Sequence, residues 1–303
     1  MPVAALTADQ RVAPDFPSTL AQYAGISAGA VTLAAILICA VKKSATKKIK
    51  CIFIILKFFI NCASTNTCGN YNGVCDCYNR EHSIPQSWWG GGTGGIGNDI
   101  FHVLPTDGKI NGVRSNYEYG EVNGGTNWRG NKYGSAGSWS TDKKTIASSA
   151  GETVNGSGNV FEPKPQYKGD WARGIMGTIV KWQQSNLTTG NKFFSGTYTA
   201  SGYYGLTKKA VVLLMKWHRE DPVSQKEIDR NNGIQATQGN RNPFIDYPYL
   251  AEYIWGEHAG ETVDMSLLMP STDPDFIPGV SNGLREHEVP PIPGAMYGVT
   301  FLY

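Results

Sequence analysis

Apolar residues recur at helical spacing in the second half of the chain. In the stretch 168–184 they come three or four positions apart, which places them on one face of a helix. These residues are Trp171, Ile175, Ile179 and Trp182. The stretch 208–220 also has helical character and is followed by an Asp-Pro pair, where proline stops a helix. We therefore predict one helix over each stretch.

Two more helices are predicted from capping residues. Ser224 and Glu227 have the spacing of a capping box, in which each side chain bonds the backbone N–H of the other residue. A helix is expected to start there, and another is expected to start at Asp246, before the stretch YPYLAEYIW. A helical layer is thus expected from 168 to 256.

The rest of the chain lacks this periodicity. Residues 78–150 alternate short strand-like runs with polar loops, and the glycine clusters at 90–97 and 151–159 predict mobile loops. The tail, 257–303, is rich in proline and glycine and predicts an irregular extension. Together these patterns predict an α+β domain over residues 64–256.

The first 63 residues form a membrane- or signal-like segment. Residues 24–41 are apolar or small and carry no charge, five lysines follow within 42–50, and 51–60 is again apolar apart from Lys57. Because about 18–20 such residues can span a bilayer, one interpretation is membrane anchoring through residues 24–60. A second is a signal sequence with the lysines before its apolar core, and a third is a buried amphipathic hairpin. In the first two interpretations, the rest of the chain is exported from the cytoplasm.

The cysteines and the charge refine this picture. The tightest of the six cysteines stand in CGNYNGVCDC, where Cys68 could pair with Cys77 or with Cys75. A disulfide is favoured over zinc, because CxC without a second cysteine or histidine pair is weak zinc spacing. A disulfide indicates an oxidising compartment. The formal net charge of +2 excludes a strong basic field, so nucleic acid would need a local basic patch.

The stretch YNREHSIPQSWW, residues 78–89, places a carboxylate beside an imidazole. Hydrolysis of a phosphodiester needs water deprotonated near neutral pH and a cation that offsets charge on the phosphate oxygens. His82 suits the first task, since the ordinary pKa of histidine is about 6.5. Glu81 offers a carboxylate oxygen to the cation. Neighbouring residues of a strand face opposite sides, so the two can share a site only where the strand ends or bends.

A second stretch, residues 98–122, supplies further polar groups. Asn111 and Asn116 each offer an amide oxygen, which suits a hard cation such as Mg²⁺. Arg114 offers a guanidinium fork that matches a phosphate. It stands one helical turn from Asn111, so both are expected on the same face of a helix.

Four stretches, in this order and spacing, resemble the endonuclease I family of bacterial periplasmic and secreted nucleases, which belongs to the ββα-metal, or His-Me finger, group. They span about residues 66–256 and are CGNYNGVCDCYNREHSIPQSWW, DIFHVLPTDGKINGVRSNYEYGEV, FEPKPQYKGDWARGIMG and LLMKWHREDPVSQKEIDRNNGIQATQGNRNPFIDYPYLAEYIWG. The resemblance implies a ββα-metal finger nuclease core across about 78–120, packed against the helical layer.

The resemblance also implies roles for single residues. His82 matches the general base, and Glu81 matches the carboxylate that helps to hold the metal, usually Mg²⁺, with Mn²⁺ or Ca²⁺ as substitutes. Asn111 matches the amide ligand, with Asn116 as a second choice. Arg114 is expected to contact the phosphate. Cys68 and Cys77 match a cysteine pair found in one branch of the family.

The implied activity is a metal-dependent endonuclease with little sequence specificity, acting on DNA and also on RNA and leaving 5′-phosphates. A monomer, secreted or periplasmic, is expected. Two alternatives are a non-catalytic nucleic-acid or surface-binding protein that retains the fold, and a phosphodiesterase on another substrate. The segments before residue 66 do not match the family, and the loop at 90–97 lacks an arginine that some members have there, so Arg80 or Arg114 would replace it.

Other aromatic and histidine side chains are expected to be structural. His102 is expected to orient the loop under the metal, and His218 to pack against its surroundings. Most of the tryptophans are expected in the core, although Trp88 or Trp89 could stack on a base.

Overall fold

The computed structural model describes residues 68–91, 95–145, 152–182 and 205–285. All of them belong to the same unit of the chain, Ile52–Tyr303. The anchor, signal and hairpin interpretations of the first 63 residues fall outside the described residues and stay predictions. No helix within the described ranges is long and apolar enough to cross a membrane.

Two antiparallel strands and a short helix form around Glu81 and His82, the EH motif. They are β1 (Tyr78–His82), β2 (Val103–Asp107) and α1 (Gly108–Arg114). The Asp107 carboxylate accepts a hydrogen bond from the Ile110 N–H at 3.0 Å and so caps the first turn of α1. The region therefore has the predicted order of strand, loop, strand and helix.

Six further strands form two small sheets within the described part of the chain. They are β3 (Glu118–Tyr119), β4 (Thr126–Trp128), β5 (Asn131–Ser135), β6 (Ser138–Ser140), β7 (Thr153–Asn155) and β8 (Asn159–Glu162). Four of them pair in the order β3-β8-β5-β4, with β3 parallel to β8, and β6 pairs with β7. The prediction of a mobile loop over 151–159 was wrong for β7, because β6 satisfies its backbone groups.

The helical layer follows in the second half of the chain. Its helices are α2 (Lys168–Lys181), α3 (Lys208–Glu220), α4 (Gln225–Gln238), α5 (Pro243–Asp246) and α6 (Leu250–Ile254). The helix predicted over 168–184 is confirmed up to residue 181, and the helix over 208–220 is confirmed. The capping box of Ser224 and Glu227 is present at the start of α4.

The predicted start of the fourth helix was wrong. Asp246 ends α5 instead of starting a helix, and the cap is Asn242, whose side chain accepts from the Phe244 N–H at 3.0 Å. Proline at the first helical position, Pro243, favours this earlier start because its φ is already helical. Pro248 lies between α5 and α6 and has no N–H to continue a helical ladder.

The core lies between α2 and α3 and extends to the site region. Ile175 and Ile179 on the predicted face of α2 are 0% and 1% exposed, and Trp171 is buried as well. Each such side chain contributes about 1.5–3 kcal/mol through burial. The same core includes Leu104 of β2 and Ile110 of α1, so the helical layer supports the strands and helix around the EH motif.

A disulfide joins Cys68 to Cys77, as the resemblance implied. Cys75, the other candidate, is itself disulfide-bonded, so none of the three described cysteines has a free thiol. Gly108, the first residue of α1, packs directly on the sulfur atoms of this bridge. The bridge therefore leaves no room for a larger residue at this position.

Replacing Gly108 by alanine is expected to destabilise the protein by about 1–3 kcal/mol, the usual cost of overpacking. A Cβ at this position would clash with Cys68 Sγ and would lie 3.0 Å from Tyr71 Cδ1. Gly69→Ala is the matched control, because a Cβ there meets nothing within 4 Å. Urea unfolding of both variants measures the difference, and equal midpoints would contradict this account of the packing.

Candidate active site

One cavity brings together three of the predicted site residues. It has a volume of about 270 Å³, and its lining includes Glu81 from β1 and both Asn111 and Arg114 from α1. The Asn111 side chain donates from Nδ2 to the carbonyl oxygen of Arg80 at 3.2 Å, so its Oδ1 stays available as an acceptor. Asn116 is exposed beyond the end of α1 and does not line the cavity.

Glu81 is a buried carboxylate whose hydrogen bonds are incomplete. It is 4% exposed, and Oε1 has no hydrogen-bond partner within the described residues. Arg114 Nη1 lies 3.4 Å from Oε1, which is an ion-pair distance but is not aligned as a hydrogen bond. Burial raises the pKa of Glu81 to about 7, although the Arg114 charge opposes this shift.

The oxygen donors fit a hard divalent cation. A buried carboxylate oxygen without a partner is costly, and coordination to a cation would satisfy it. The described residues contain no group of three His, Cys, Asp or Glu side chains placed to bind a metal. A cation in this cavity would therefore depend on Glu81 and the Asn111 amide, with water or phosphate oxygens completing its shell.

Arg114 is held inside the protein. It is 2% exposed and donates to the carbonyl oxygens of Ser83 at 2.9 Å and Ser115 at 3.0 Å. The guanidinium carbon also lies 4.6 Å from the centroid of the Tyr119 ring. A phosphate could meet this guanidinium only from within the cavity, and its predicted role as a phosphate contact stays a prediction.

His82 is half-buried and held by a backbone carbonyl. Its Nε2 lies 3.0 Å from the carbonyl oxygen of Gly97, and because a carbonyl only accepts, Nε2 carries the proton. Burial lowers the pKa of His82 below 6.5; the Gly97 bond opposes this, and the Arg80 and Arg114 charges add to it. At neutral pH the ring is therefore neutral, and its Nδ1 lone pair can accept a proton.

The ring of His82 does not line the cavity that Glu81 lines. It packs 5.9 Å from the Trp89 ring and 5.7 Å from the His102 ring, between centroids. β1 ends at His82, which meets the condition set by the sequence for two neighbours to act at one site. At this strand end the imidazole stands on the residue directly after Glu81, which lines the cavity.

A short 3-10 turn, Gly95–Asn98, supplies the carbonyls that hold two histidines. Gly97 holds His82, and the Ile96 carbonyl oxygen lies 2.6 Å from Nε2 of His102. His102 is fully buried, and burial lowers its pKa to about 4, so it is neutral. Its predicted role of orienting the loop under the metal stays a prediction, and the glycine cluster predicted as a mobile loop forms a defined turn over Gly95–Asn98.

Asp99 anchors that turn and was missed in the sequence. It is 2% exposed, and its carboxylate accepts from Trp182 Nε1 at 2.6 Å and from Gln238 Nε2 at 3.0 Å. It also forms an ion pair with Lys181 Nζ at 2.8 Å. Because these partners stand 82 to 139 positions further along the chain (181 − 99 and 238 − 99), no local signal separates Asp99 from a surface acid.

Replacing Asp99 by alanine is expected to lower kcat for nucleic-acid cleavage by about ten- to hundred-fold, with little change in KM. Without its carboxylate the turn loses its anchor, and the Gly97 carbonyl no longer orients the His82 ring. Asp142→Ala, an exposed acid, is the control. Steady-state kinetics and a pH profile on folded protein measure the effect, and a wild-type kcat in Asp99→Ala would exclude this positioning role.

A carboxylate, an amide and a guanidinium in one cavity, with a neutral imidazole on the residue next to the carboxylate, are typical of hydrolases that cleave phosphodiesters with a divalent cation. The chain belongs to the endonuclease I family, whose sequence model matches residues 26–249. This match begins at residue 26. It therefore includes residues 26–65, where the sequence by itself showed no resemblance to the family.

Three relatives carry nuclease names. An extracellular ribonuclease of Bacillus subtilis (strain 168) is 33% identical over 187 residues, which are 59% of this chain and 54% of that protein. An extracellular ribonuclease of Bacillus amyloliquefaciens is 33% identical over 183 residues, with the same shares. A periplasmic deoxyribonuclease of Aeromonas hydrophila is 26% identical over 185 residues, 55% of this chain and 62% of that protein. The chain thus spans little more than half the length of these relatives.

Proposed function

We propose that this chain is a metal-dependent endonuclease that hydrolyses phosphodiester bonds of DNA and RNA with little sequence specificity. The observation that carries the proposal is the cavity shared by Glu81 and Asn111, at the strand end that presents His82. In this proposal β1, β2 and α1 form the ββα-metal finger. Relatives named as a deoxyribonuclease and as ribonucleases support both substrates.

Glu81 and Asn111 would hold the cation, because carboxylate and amide oxygens suit Mg²⁺, and Mn²⁺ or Ca²⁺ in its place. When bound, the cation would offset negative charge on the phosphate oxygens and on the leaving 3′ oxygen. Arg114, fixed by Ser83 and Ser115, keeps a positive charge beside the Glu81 carboxylate and favours its ionised form.

His82 is proposed to act as the general base. Its Nδ1 takes a proton from a water molecule, and the oxygen of that water attacks phosphorus in line with the 3′ oxygen. The P–O3′ bond then breaks, the 3′ oxygen takes a proton from solvent, and the products carry a 5′-phosphate and a 3′-hydroxyl. The Gly97 carbonyl keeps the proton of His82 on Nε2 throughout, so Nδ1 is the nitrogen that titrates.

Secretion or a periplasmic location is proposed from the disulfide and from the names of the relatives. A monomer is proposed, and membrane anchoring through residues 24–60 stays a prediction. The domain boundaries at 64 and 256 are also proposals. Because binding should depend mainly on phosphates, cleavage is expected to weaken as salt rises.

Plasmid nicking tests the proposed function. Supercoiled plasmid should become nicked and then linear in Mg²⁺ and should stay intact in EDTA. Glu81→Ala and Asn111→Ala should abolish nicking in folded protein, since each removes a ligand. Equal nicking in EDTA would contradict the metal site. Binding of plasmid without any cleavage would favour a non-catalytic binding protein, and intact DNA and RNA with hydrolysis of another phosphodiester would favour the other alternative.

A further inference from the structure

The cavity beside Glu81 has a second wall that the proposed hydrolysis does not use. Aromatic and cationic side chains form this wall, namely Trp128, Phe161, Tyr167, Trp171, Arg129 and Lys164. Phe161 and Trp171 are buried, whereas Trp128 and Tyr167 are half-buried and keep part of their rings accessible. Aromatic and cationic residues thus line the same cavity as Glu81 and Asn111.

The cations of this wall have no acidic partners. Neither Arg129 nor Lys164 forms an ion pair within the described residues, in contrast to Lys132 and Lys168, which pair with Glu162. Lys109 also lacks an acidic partner there, and its Nζ lies 5.9 Å from the centroid of the Trp128 ring. Uncompensated positive charge around a cavity attracts an anionic ligand such as a phosphate.

Arg129 is held at the cavity in a backbone conformation that arginine rarely adopts. Arg129 and Gly130 join β4 to β5 as a two-residue loop, and their φ angles are 54° and 98°. Positive φ at both positions is the type I′ pattern, in which asparagine followed by glycine is preferred. The guanidinium donates to Cys75 Sγ at 2.9 Å and is otherwise exposed. Such strain is often found where a side chain binds a ligand.

The size of the cavity restricts the ligand. At about 270 Å³ it is slightly smaller than the usual range of roughly 300–1,000 Å³ for small-molecule sites, so it suits one flat ring and not a base pair. A nucleobase has a π face that stacks on an aromatic side chain whatever its sequence, and its phosphate is attracted by nearby cations. Both features are present within this one wall.

We propose that this wall binds one unpaired nucleotide next to the scissile phosphate, with its base stacked on Trp128 and its phosphate between Arg129 and Lys164. The inference rests on the proposed nuclease function and specifies its substrate as single-stranded or locally unpaired nucleic acid. A duplex is a poorer substrate, because a base must first leave its stack and its partner.

Kinetics on matched substrates give the first test. A single-stranded DNA oligonucleotide should be cleaved with at least ten-fold higher kcat/KM than the same strand annealed to its complement. Trp128→Ala should lower the ratio of the two kcat/KM values about ten-fold, mainly by raising KM for the single strand. Trp128→Phe should keep most of this ratio. Tyr117→Ala is the control, since Tyr117 is 38% exposed and does not line the cavity.

The Arg129→Asn variant separates an effect on substrate binding from an effect on folding. Asparagine is favoured in this turn, so the hairpin is kept, and KM for the single strand should rise about five-fold without loss of thermal stability. Equal kcat/KM of the wild type on both substrates, or equal ratios in Trp128→Ala and Tyr117→Ala, would overturn the inference and leave the nuclease proposal intact.

A binding measurement without catalysis gives the second test. A single-stranded DNA oligonucleotide with one 2-aminopurine is titrated with protein in EDTA, and stacking on Trp128 should quench its fluorescence. Trp128→Ala should remove most of the quenching. Quenching by a protein that cleaves nothing in Mg²⁺ would sustain the nucleotide site and refute the nuclease. Cleavage without quenching would refute the nucleotide site alone, and absence of both would refute both.

Discussion

Replacing His82 by alanine is expected to lower kcat by about 10²–10⁴-fold, the usual contribution of a general base. The protein should stay folded and keep its affinity for nucleic acid, because the ring is half-buried and its one hydrogen bond within the described residues is to Gly97. Steady-state cleavage in Mg²⁺, with binding measured separately in EDTA, separates the two effects.

The pH dependence of kcat/KM is a second measurement that tests His82 as the general base. His82 must be neutral to accept a proton, and its pKa lies below 6.5. At saturating Mg²⁺, which would keep Glu81 ionised, kcat/KM of the wild type should therefore rise as pH increases through the pKa of His82 and level off before neutrality. This rise should be absent in His82→Ala. His258→Ala is the control, since His258 bonds Tyr249 and Glu261 and does not line the cavity. A His82→Ala enzyme within two-fold of the wild type would exclude the general base.

Replacing Glu227 by alanine is expected to lower the free energy of unfolding by about 3–5 kcal/mol, the cost of breaking a buried ion pair from one side. Arg173 is 0% exposed and donates to both Glu227 oxygens, from Nε at 2.7 Å and from Nη2 at 2.8 Å. Burial lowers the pKa of Arg173, but the charge and hydrogen bonds of Glu227, together with the charges of Asp170 and Asp221, raise it above its ordinary value. The guanidinium would stay charged after its partner is removed, because arginine is not deprotonated in proteins.

Urea unfolding at pH 7 measures this loss. Glu220→Ala is the matched control, because Glu220 pairs with Lys216 one turn along α3 and is largely exposed, so about 0.5 kcal/mol or less is expected. Replacing both Arg173 and Glu227 by apolar residues of similar size should recover much of the stability. A loss below about 1 kcal/mol in Glu227→Ala would show that Glu227 is not needed to compensate the buried charge of Arg173.

Local signals were enough for the long helices. The apolar spacing in α2, the Asp-Pro pair after α3 and the capping box of α4 each lie within a few residues, so the chain itself shows where these helices run. The same approach failed at Asp246, where Asn242 and Pro243 compete as a helix start only four residues earlier. It also failed at β7, whose backbone is satisfied by β6, fifteen residues before it along the chain (153 − 138).

The sequence by itself determined the family, the adjacent carboxylate and imidazole, and the main helices, because these depend on residue type and short spacing. Only the tertiary structure decided that Asn111 and not Asn116 lines the cavity with Glu81, and that Arg114 is buried among backbone carbonyls. It alone showed that Asp99 anchors the turn that holds His82, and that Trp128 and Arg129 line the same cavity as Glu81. The physical reason is that these contacts join side chains distant in sequence, whose directions are set only once the strands and helices pack.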